Sequence, residues 1–170
     1  KLRDNRKFET LEALKSQIQF DIIASKSLEF PVLTFWSFDI VHEGHKYYLS
    51  GAKKYARTLI TIIARDETIE RIKWNAPHNN QEIRKGQIEK LGLSNIILIW
   101  DTYNPYIWLE IYKPKIIMLG YDQRWRFVEW LPSQLQELWL SDTKILRMGS
   151  LEPDKYKSSL LRQELKKENK

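Results

Sequence analysis

The chain has 170 residues, with 28 Lys or Arg against 22 Asp or Glu, and its formal net charge at pH 7 is +6. Its length suits one domain with a full core, and 42% hydrophobic and 29% charged residues exclude a disordered or fibrous chain. Cysteine is absent, which excludes disulfide scaffolds, thiolate zinc sites and cysteine nucleophiles.

The sequence carries no membrane or export signal that we can identify. No stretch reaches the roughly 18 apolar residues that a membrane span needs. Residues 1–15 are charged and lack a signal-peptide cleavage site, so we expect a cytoplasmic protein without a membrane partner. The chain starts with Lys1 rather than Met, which leaves open that it is part of a longer protein. Its positive charge fits a phosphate-bearing partner and equally fits an ordinary surface.

Five short apolar segments are predicted as buried β-strands, because they are rich in β-branched residues and do not alternate with polar ones. They are residues 31–36, 59–64, 95–100, 115–120 and, more weakly, 143–148. Segments with helical spacing are 8–28, 43–56, 80–91, 105–112 and 129–140. Pro114 is predicted to end one helix and Pro132 to lie in the first turn of another.

This alternation of strands and helices predicts an α/β fold. The expected architecture is an open five-stranded parallel sheet with helices on both faces, preceded by an N-terminal helical extension. Ligands of such sheets bind beyond the carboxyl ends of the strands. The residues that follow each apolar segment are therefore the candidates for function.

A pair of histidines follows the first strand, at the start of a predicted helix. His42 and His45 are three residues apart, so both imidazoles can project to one side, and Gly44 between them leaves room for a ligand. The helix N-terminus attracts anions. The pattern predicts a phosphate site, best suited to a phosphate that gains charge in a transition state.

The spacing of the two histidines is also compatible with less specific roles. Surface or core histidines are the commoner origin of an isolated His-x-x-His spacing, and a metal site is a second alternative. A third ligand at a suitable spacing is missing, and the histidines of the zinc-protease motif are four residues apart rather than three. We therefore predict no resident metal ion at this pair.

The segment FWSFDIVHEGHKYYLSGAKKYA (35–56) resembles the signature of the HxGH nucleotidyltransferase superfamily, the cytidylyltransferase-like enzymes. Its usual form is Gly-Thr-Phe-Asp, two further residues and His-x-Gly-His. Five residues match it: Phe38, Asp39, His42, Gly44 and His45. Ser37 stands where Thr is usual, and Trp36 where Gly is usual. The segment KPKIIMLGYDQRW (113–125) is similar to archaeal-type FAD synthases, the subgroup that the chain resembles most.

The resemblance spans residues 31–165 and implies a Rossmann-like nucleotidyltransferase domain over residues 31–170, behind a helical extension over residues 1–30. It implies attack by a phosphorylated acceptor on the α-phosphorus of a nucleoside triphosphate, with release of pyrophosphate. ATP and FMN are the favoured substrates, with CTP and a phosphorylated alcohol such as glycerol-3-phosphate as the alternative. Mg²⁺ would accompany the triphosphate with few or no protein ligands, and a homodimer is left open.

The resemblance also implies roles for individual residues. Catalytic contacts to phosphate are implied for His42, His45 and Lys73. Nucleotide binding is implied for Ser37, Phe38, Asp39, Gly44, Gly120, Asp122, Arg147, Ser158 and Ser159. Acceptor binding is implied for Arg71, Arg84 and Trp36. Arg162 follows the two serines by about one helical turn and could reach the same anion.

Four tryptophans bear on the shape of the predicted site. The indole of Trp36 would either obstruct the backbone approach to the nucleotide or stack on a base or flavin ring. Trp100, Trp125 and Trp130 follow strands at the same edge of the sheet, and one of them is expected to line a pocket for a flat ring.

Two further functional classes stay open. Residues 121–130 mix basic and aromatic side chains, as nucleic-acid-binding surfaces do, but they show no RNA-binding signature. Nucleic acid is therefore not the partner that we expect. A family member that binds nucleotides without turnover is the second alternative, because of Trp36.

Overall fold

The computed structural model describes residues 10–11, 14–15, 30–156 and 161–162. The strands in this part of the chain are β1 (Pro31–Trp36), β2 (Thr58–Ile63), β3 (Ile96–Ile99), β4 (Ile116–Leu119) and β5 (Lys144–Arg147). Its helices are α1 (Glu43–Tyr55), α2 (Asp66–Lys73), α3 (Gln81–Leu91), α4 (Ile107–Tyr112) and α5 (Arg126–Glu137).

The five strands form one parallel sheet in the order β3-β2-β1-β4-β5. The chain builds one half of the sheet outward from β1 to β3 and then returns to add β4 on the other side of β1. This confirms the open parallel α/β sheet predicted from the sequence. The strand order reverses between β1 and β4, so the crevice beyond their carboxyl ends is the expected ligand site.

Helices cover both faces of the sheet, as predicted. Successive strand residues face opposite sides, so Leu33 and Phe35 pack in a core with α2, α4 and α5, whereas Val32 packs in a second core with α1 and α3. These β1 side chains are almost completely buried. Burial of each such side chain contributes about 1.5–3 kcal/mol, which makes the centre of the sheet the rigid support of its carboxyl edge.

One helix was not predicted, and the start of another was wrong. Helix α2 is not among the predicted helices, because it has only eight residues and a single buried one, Ile69, which gives little periodicity. Pro132 was expected in a first turn, but α5 begins at Arg126 and Pro132 lies inside it. The helix tolerates the missing N–H there, and the hydroxyl of Ser133 donates to the Trp130 carbonyl at 2.8 Å. Pro114 does follow the end of α4, as predicted.

Some predictions fall on parts of the chain outside the described residues. These are most of the helix expected over residues 8–28, and the two serines Ser158 and Ser159. In the part that is described, no helix has both the length and the apolar character that crossing a membrane requires.

Candidate active site

A cavity of about 250 Å³ opens where the strand order reverses, beyond the ends of β1 and β4. Its walls come from the end of β1, the start of α1, the end of α2, the turn after β4 and the segment after β5. The predicted site residues that line it are Trp36, His42, Gly44, His45, Lys73, Gly120 and Asp122. These predicted residues come from four separate segments of the chain, and the fold brings them together at one cavity.

The two histidines form a stacked pair at the N-terminus of α1. His42 is the N-cap residue, and the ring centroids of His42 and His45 lie 3.9 Å apart with 28° between their planes. The backbone N–H of His42 donates to Nδ1 of His45 at 3.4 Å. Because Nδ1 accepts this bond, a neutral His45 ring carries its proton on Nε2.

Burial keeps both rings in their neutral form near pH 7. Burial lowers the pKa of His45 well below 6.5, and the nearby His42 and Lys73 lower it further. Burial also lowers the pKa of His42, where Asp122 and Glu43 act in the opposite direction. A phosphate entering the cavity would raise both pKa values, since negative charge stabilises imidazolium.

Gly44 makes room for the His42 ring. A Cβ at this position would lie 2.9 Å from Cε1 and 3.0 Å from Nδ1 of His42, and 3.3 Å from Cβ of Tyr156. Any side chain here must therefore displace the imidazole or the Tyr156 segment. The glycine of the motif is needed for the position of a neighbouring ring.

Lys73 ends α2 and places its ammonium group at the cavity. Its Nζ donates to Oγ of Ser37 at 3.1 Å. Desolvation of the Lys73 ammonium beside the cavity lowers its pKa, while Asp39 is the strongest influence in the opposite direction. Ser37, which is itself buried, therefore positions the lysine instead of lining the cavity.

Asp39 lies behind the cavity and organises the loops around it. One carboxylate oxygen accepts hydrogen bonds from the backbone N–H groups of His78 at 2.7 Å and Asn79 at 3.0 Å. The other oxygen forms an ion pair with Arg162. The adjacent Phe38 is fully buried and has a φ of 50°, a left-handed conformation that is uncommon for a bulky residue. Neither residue lines the cavity.

Arg84 does not lie at the cavity, in contrast to the prediction of an acceptor-binding role. Its side chain is fully buried, and its Nη1 donates to the Ser37 carbonyl. Its Nη2 donates to the Ala64 carbonyl at 2.6 Å and to Asp66 at 2.7 Å, and its Nε donates to the Asn79 carbonyl at 3.0 Å. The guanidinium joins the ends of β1 and β2 to the loop before α3, so its role is structural support of the site.

Arg147 and Gln123 fix the turn after β4. Nη1 of Arg147 donates to the carbonyls of Gly120 at 2.6 Å and Gln123 at 2.9 Å. The Gln123 amide accepts from the N–H of Gly120 at 2.8 Å and donates to the Phe35 carbonyl of β1. Arg147 was predicted to bind nucleotide, but it lies outside the cavity lining and holds the turn that presents Asp122.

Trp36 forms one wall of the cavity. A Cβ on Gly120 would lie only 1.7 Å from the indole, so Gly120 is the residue that accommodates this ring. The indole also packs edge-on against Tyr48, at 4.9 Å between centroids, and against His45, at 5.5 Å. The ring packs between α1 and the turn after β4, and the cavity stays open beside it.

Three tyrosines that the sequence analysis did not assign to the site also line the cavity: Tyr48, Tyr121 and Tyr156. Tyr48 lies on the buried stripe of α1, so its pattern is that of a core residue. Tyr156 follows β5 in a segment without periodicity, and its ring lies parallel to His42 at 6.4 Å. Only the position of Tyr156 within residues 31–165, the span of the family resemblance, could have indicated its place at the site.

The remaining acceptor candidate, Arg71, lines a second cavity of about 790 Å³. Trp100, Trp125 and Trp130 line the same cavity. All three tryptophans thus line one cavity, and the binding of a flat ring there stays a prediction.

Comparison with known proteins shows which proteins this chain is similar to. A family model described as cytidylyltransferase-like matches residues 34–164. An FAD synthase of Aciduliprofundum boonei is 38% identical over 87 residues, which are 51% of this chain and 58% of that protein. An FAD synthase of Methanohalophilus mahii is 34% identical over 118 residues, which are 69% of this chain and 80% of that protein. The match to the first relative spans less than two thirds of its length.

Among solved structures, the chain is similar to a lipopolysaccharide core biosynthesis protein from Thermoplasma volcanium. The TM-score is 0.65 and the sequence identity 30%, and the similarity covers 72% of this chain and 98% of that one. The similarity therefore extends over nearly all of the other protein.

Proposed function

The chain belongs to the cytidylyltransferase-like family of nucleotidyltransferases, and from this premise we propose that it transfers AMP from ATP to FMN, forming FAD and pyrophosphate. The observation that carries the proposal is the stacked pair His42 and His45 beside Lys73, at the N-terminus of α1. The two relatives that are FAD synthases support the choice of ATP and FMN.

The proposed reaction depends mainly on stabilising negative charge. A phosphate oxygen of the acceptor bonds to the α-phosphorus of ATP, and the bond from that phosphorus to the pyrophosphate oxygen breaks. Negative charge develops on the phosphate oxygens as the leaving group departs. The imidazoles of His42 and His45 are neutral before the reaction, and the growing negative charge raises their affinity for a proton. Their hydrogen bonds to the phosphate oxygens therefore strengthen in the transition state.

The surrounding groups serve the same step. The first N–H groups of α1, a helix of 13 residues, place partial positive charge beside the histidines. Lys73 adds a full positive charge that offsets the repulsion between two phosphorylated substrates. Asp122, in the turn after β4, is the lining carboxylate that we assign to the ribose hydroxyls.

The described residues fit a metal ion that arrives with the triphosphate. No group of three or more His, Cys, Asp or Glu side chains in the described part of the chain is arranged to hold a metal. We propose Mg²⁺ bound mainly by phosphate oxygens, where it would neutralise the charge of the leaving pyrophosphate. Lys73 and the two histidines would contact phosphate oxygens of the substrates.

The experiment that tests the function pairs each triphosphate with each acceptor. The purified protein is incubated with ATP or CTP, FMN or glycerol-3-phosphate, and Mg²⁺, and pyrophosphate and the joined product are both quantified. We expect FAD and pyrophosphate in equal amounts from ATP and FMN. Product from CTP and glycerol-3-phosphate would favour the alternative substrate pair, and no product from any pair with folded protein would contradict the enzyme assignment.

A further inference from the structure

Trp36 lines the histidine cavity but has no part in the reaction steps described so far. It ends β1, the central strand, at the point where the strand order reverses. The motif that residues 35–56 resemble usually has Gly at this position, so the indole is a property of this chain. A large ring in a ligand crevice can serve either a ligand or a neighbouring side chain, and its contacts indicate which.

The indole of Trp36 is held in one orientation by close packing. A Cβ on Gly120 would lie 1.7 Å from Cζ3 and 2.1 Å from Cη2 of the indole, so the ring lies directly against the glycine. The indole also meets Tyr48 edge-on at 4.9 Å between centroids, and the Tyr48 hydroxyl donates to the Met118 carbonyl of β4 at 2.6 Å. Contacts from α1 and from the end of β4 thus fix a side chain that starts from β1.

His45 lies beside this fixed indole. The centroids of the Trp36 and His45 rings are 5.5 Å apart and their planes are at 87°, a favourable arrangement for two aromatic rings. Two further rings lie near His45, which are those of His42 at 3.9 Å and Phe38 at 5.1 Å. Phe38 is fully buried and lies outside the cavity lining, whereas Trp36 and His42 line the cavity. Because His45 is only 2% exposed, these two rings cover it on the cavity side.

We propose that Trp36 is a positioning residue for His45, whose indole holds the imidazole in the orientation that contacts phosphate and keeps water away from it. The ring of His42 stacks on one face of His45, and the perpendicular indole covers another side. The N–H of His42 holds Nδ1 of His45 at 3.4 Å, so three contacts fix the imidazole. The catalytic consequence rests on the proposed function, whereas the state of the ring rests on the packing.

Exclusion of water has an electrostatic consequence for His45. Burial is the main cause of its lowered pKa, and the titratable or charged groups that face it, His42 and Lys73, lower the pKa further. Loss of the indole would admit water to the ring, so the pKa of His45 should rise toward 6.5. A protonated His45 would bind the phosphates of the ground state more strongly and gain less in the transition state.

The first test measures the pKa of each histidine by NMR titration of the full chain without ligand, with H45Q used to assign the His45 signal. W36G introduces the residue that is usual in the motif, and W36F keeps a smaller ring. We expect the pKa of His45 to rise by about 1 in W36G and by less in W36F. W139A is the matched control, because Trp139 is 93% exposed and does not line the cavity, and it should leave the pKa of His45 unchanged.

A second test distinguishes support of His45 from stacking on a substrate. If Trp36 acts through His45, kcat for FAD formation in W36G falls about tenfold, while the KM values for ATP and FMN stay within about twofold. The pH profile of kcat then shifts with the raised pKa. If Trp36 instead stacks on a substrate, KM rises while kcat and the pKa of His45 keep their wild-type values.

The outcomes separate this inference from the proposed function. A wild-type pKa of His45 in W36G and W36F, or a rise in KM alone, would overturn the positioning role even if the enzyme makes FAD. Thermal unfolding checks each variant, and W36F decides if W36G does not fold. A raised pKa of His45 in W36G supports the positioning role even if the wild type forms no FAD, in which case only the proposed reaction fails.

Discussion

Asp39 pairs with Arg162, a residue 123 positions further along the chain. The same carboxylate holds the backbone of the loop at residues 78 and 79, so one buried side chain joins the motif loop after β1 to two distant segments. Asp39 thus connects the loops that surround the histidines.

Loss of the Arg162 guanidinium should therefore reduce stability. R162Q leaves the Asp39 carboxylate buried with one strong partner fewer, and we expect a loss of about 1–3 kcal/mol in the free energy of unfolding. Urea denaturation measures this change. The control is E89Q, which breaks the exposed pair between Lys85 and Glu89 and should change stability by less than about 1 kcal/mol. Equal effects of the two variants would contradict the role of Asp39.

Alanine at Gly44 should impair activity without weakening the fold. The new methyl group would lie 2.9 Å from the His42 ring, which must move away from its partner. We expect kcat to fall about tenfold or more, because small displacements of catalytic groups are costly. Steady-state FAD formation and thermal unfolding are the measurements.

The control for that variant is G86A, in α3. A Cβ at Gly86 meets nothing within 4 Å, so the helix should gain about 0.5–1 kcal/mol with kcat unchanged. If G44A had wild-type kcat, the tight fit between Gly44 and His42 would have no functional meaning.

The charge of Lys73 should matter more than its bulk. K73Q removes the positive charge beside the histidines, and we expect kcat/KM to fall about 100-fold, as for loss of a strong electrostatic contact. K46Q is the matched control, since Lys46 is exposed and pairs only with Glu43 among the described residues. A loss in K46Q as large as that in K73Q would indicate a general effect of net charge.

Burial of His45 predicts a specific dependence of stability on pH. Its pKa in the folded state is well below 6.5, the value expected for the unfolded chain. Below pH 6.5 the unfolded chain takes up a proton that the folded state resists, so the free energy of unfolding falls as pH falls. Above pH 6.5 this contribution is constant.

Removing that imidazole should flatten the decline. Between pH 7 and pH 5, H45Q is expected to lose less stability than the wild type. Denaturant unfolding at each pH gives the slopes. Identical slopes in H45Q and the wild type would show that His45 ionises as freely in the folded protein as in the unfolded chain.

The sheet and the histidine pair could be predicted because their signals are local. Strands β1 to β4 are each a largely apolar segment, and His42 and His45 share a helical turn. Strand β5 was the weakest prediction because it begins and ends with a charged residue, and it is mostly exposed. The short helix α2 gave no such signal, since seven of its eight residues are not buried. Because α2 was not predicted, neither was the fact that Arg71 and Lys73 line different cavities. Residues two apart on a helix face different directions.

The structural role of Arg84 could not be predicted from the sequence. Its guanidinium bonds to residues 47, 20 and 18 positions away, and these converge only after the sheet has formed. An arginine near a predicted phosphate site is indistinguishable in sequence from one that supports the site from behind. The second cavity was not predicted as one site, because Arg71 and the tryptophans that line it lie on separate segments that meet only in the folded chain.

The most direct test of the paired imidazoles compares H45Q with the wild type in two assays, the rate of FAD formation at saturating substrates and the dissociation constant of ATP. If the rings act mainly on the transition state, kcat falls about 100- to 1000-fold while ATP binding changes far less. A wild-type kcat in H45Q, or a loss confined to ATP affinity, would contradict the account.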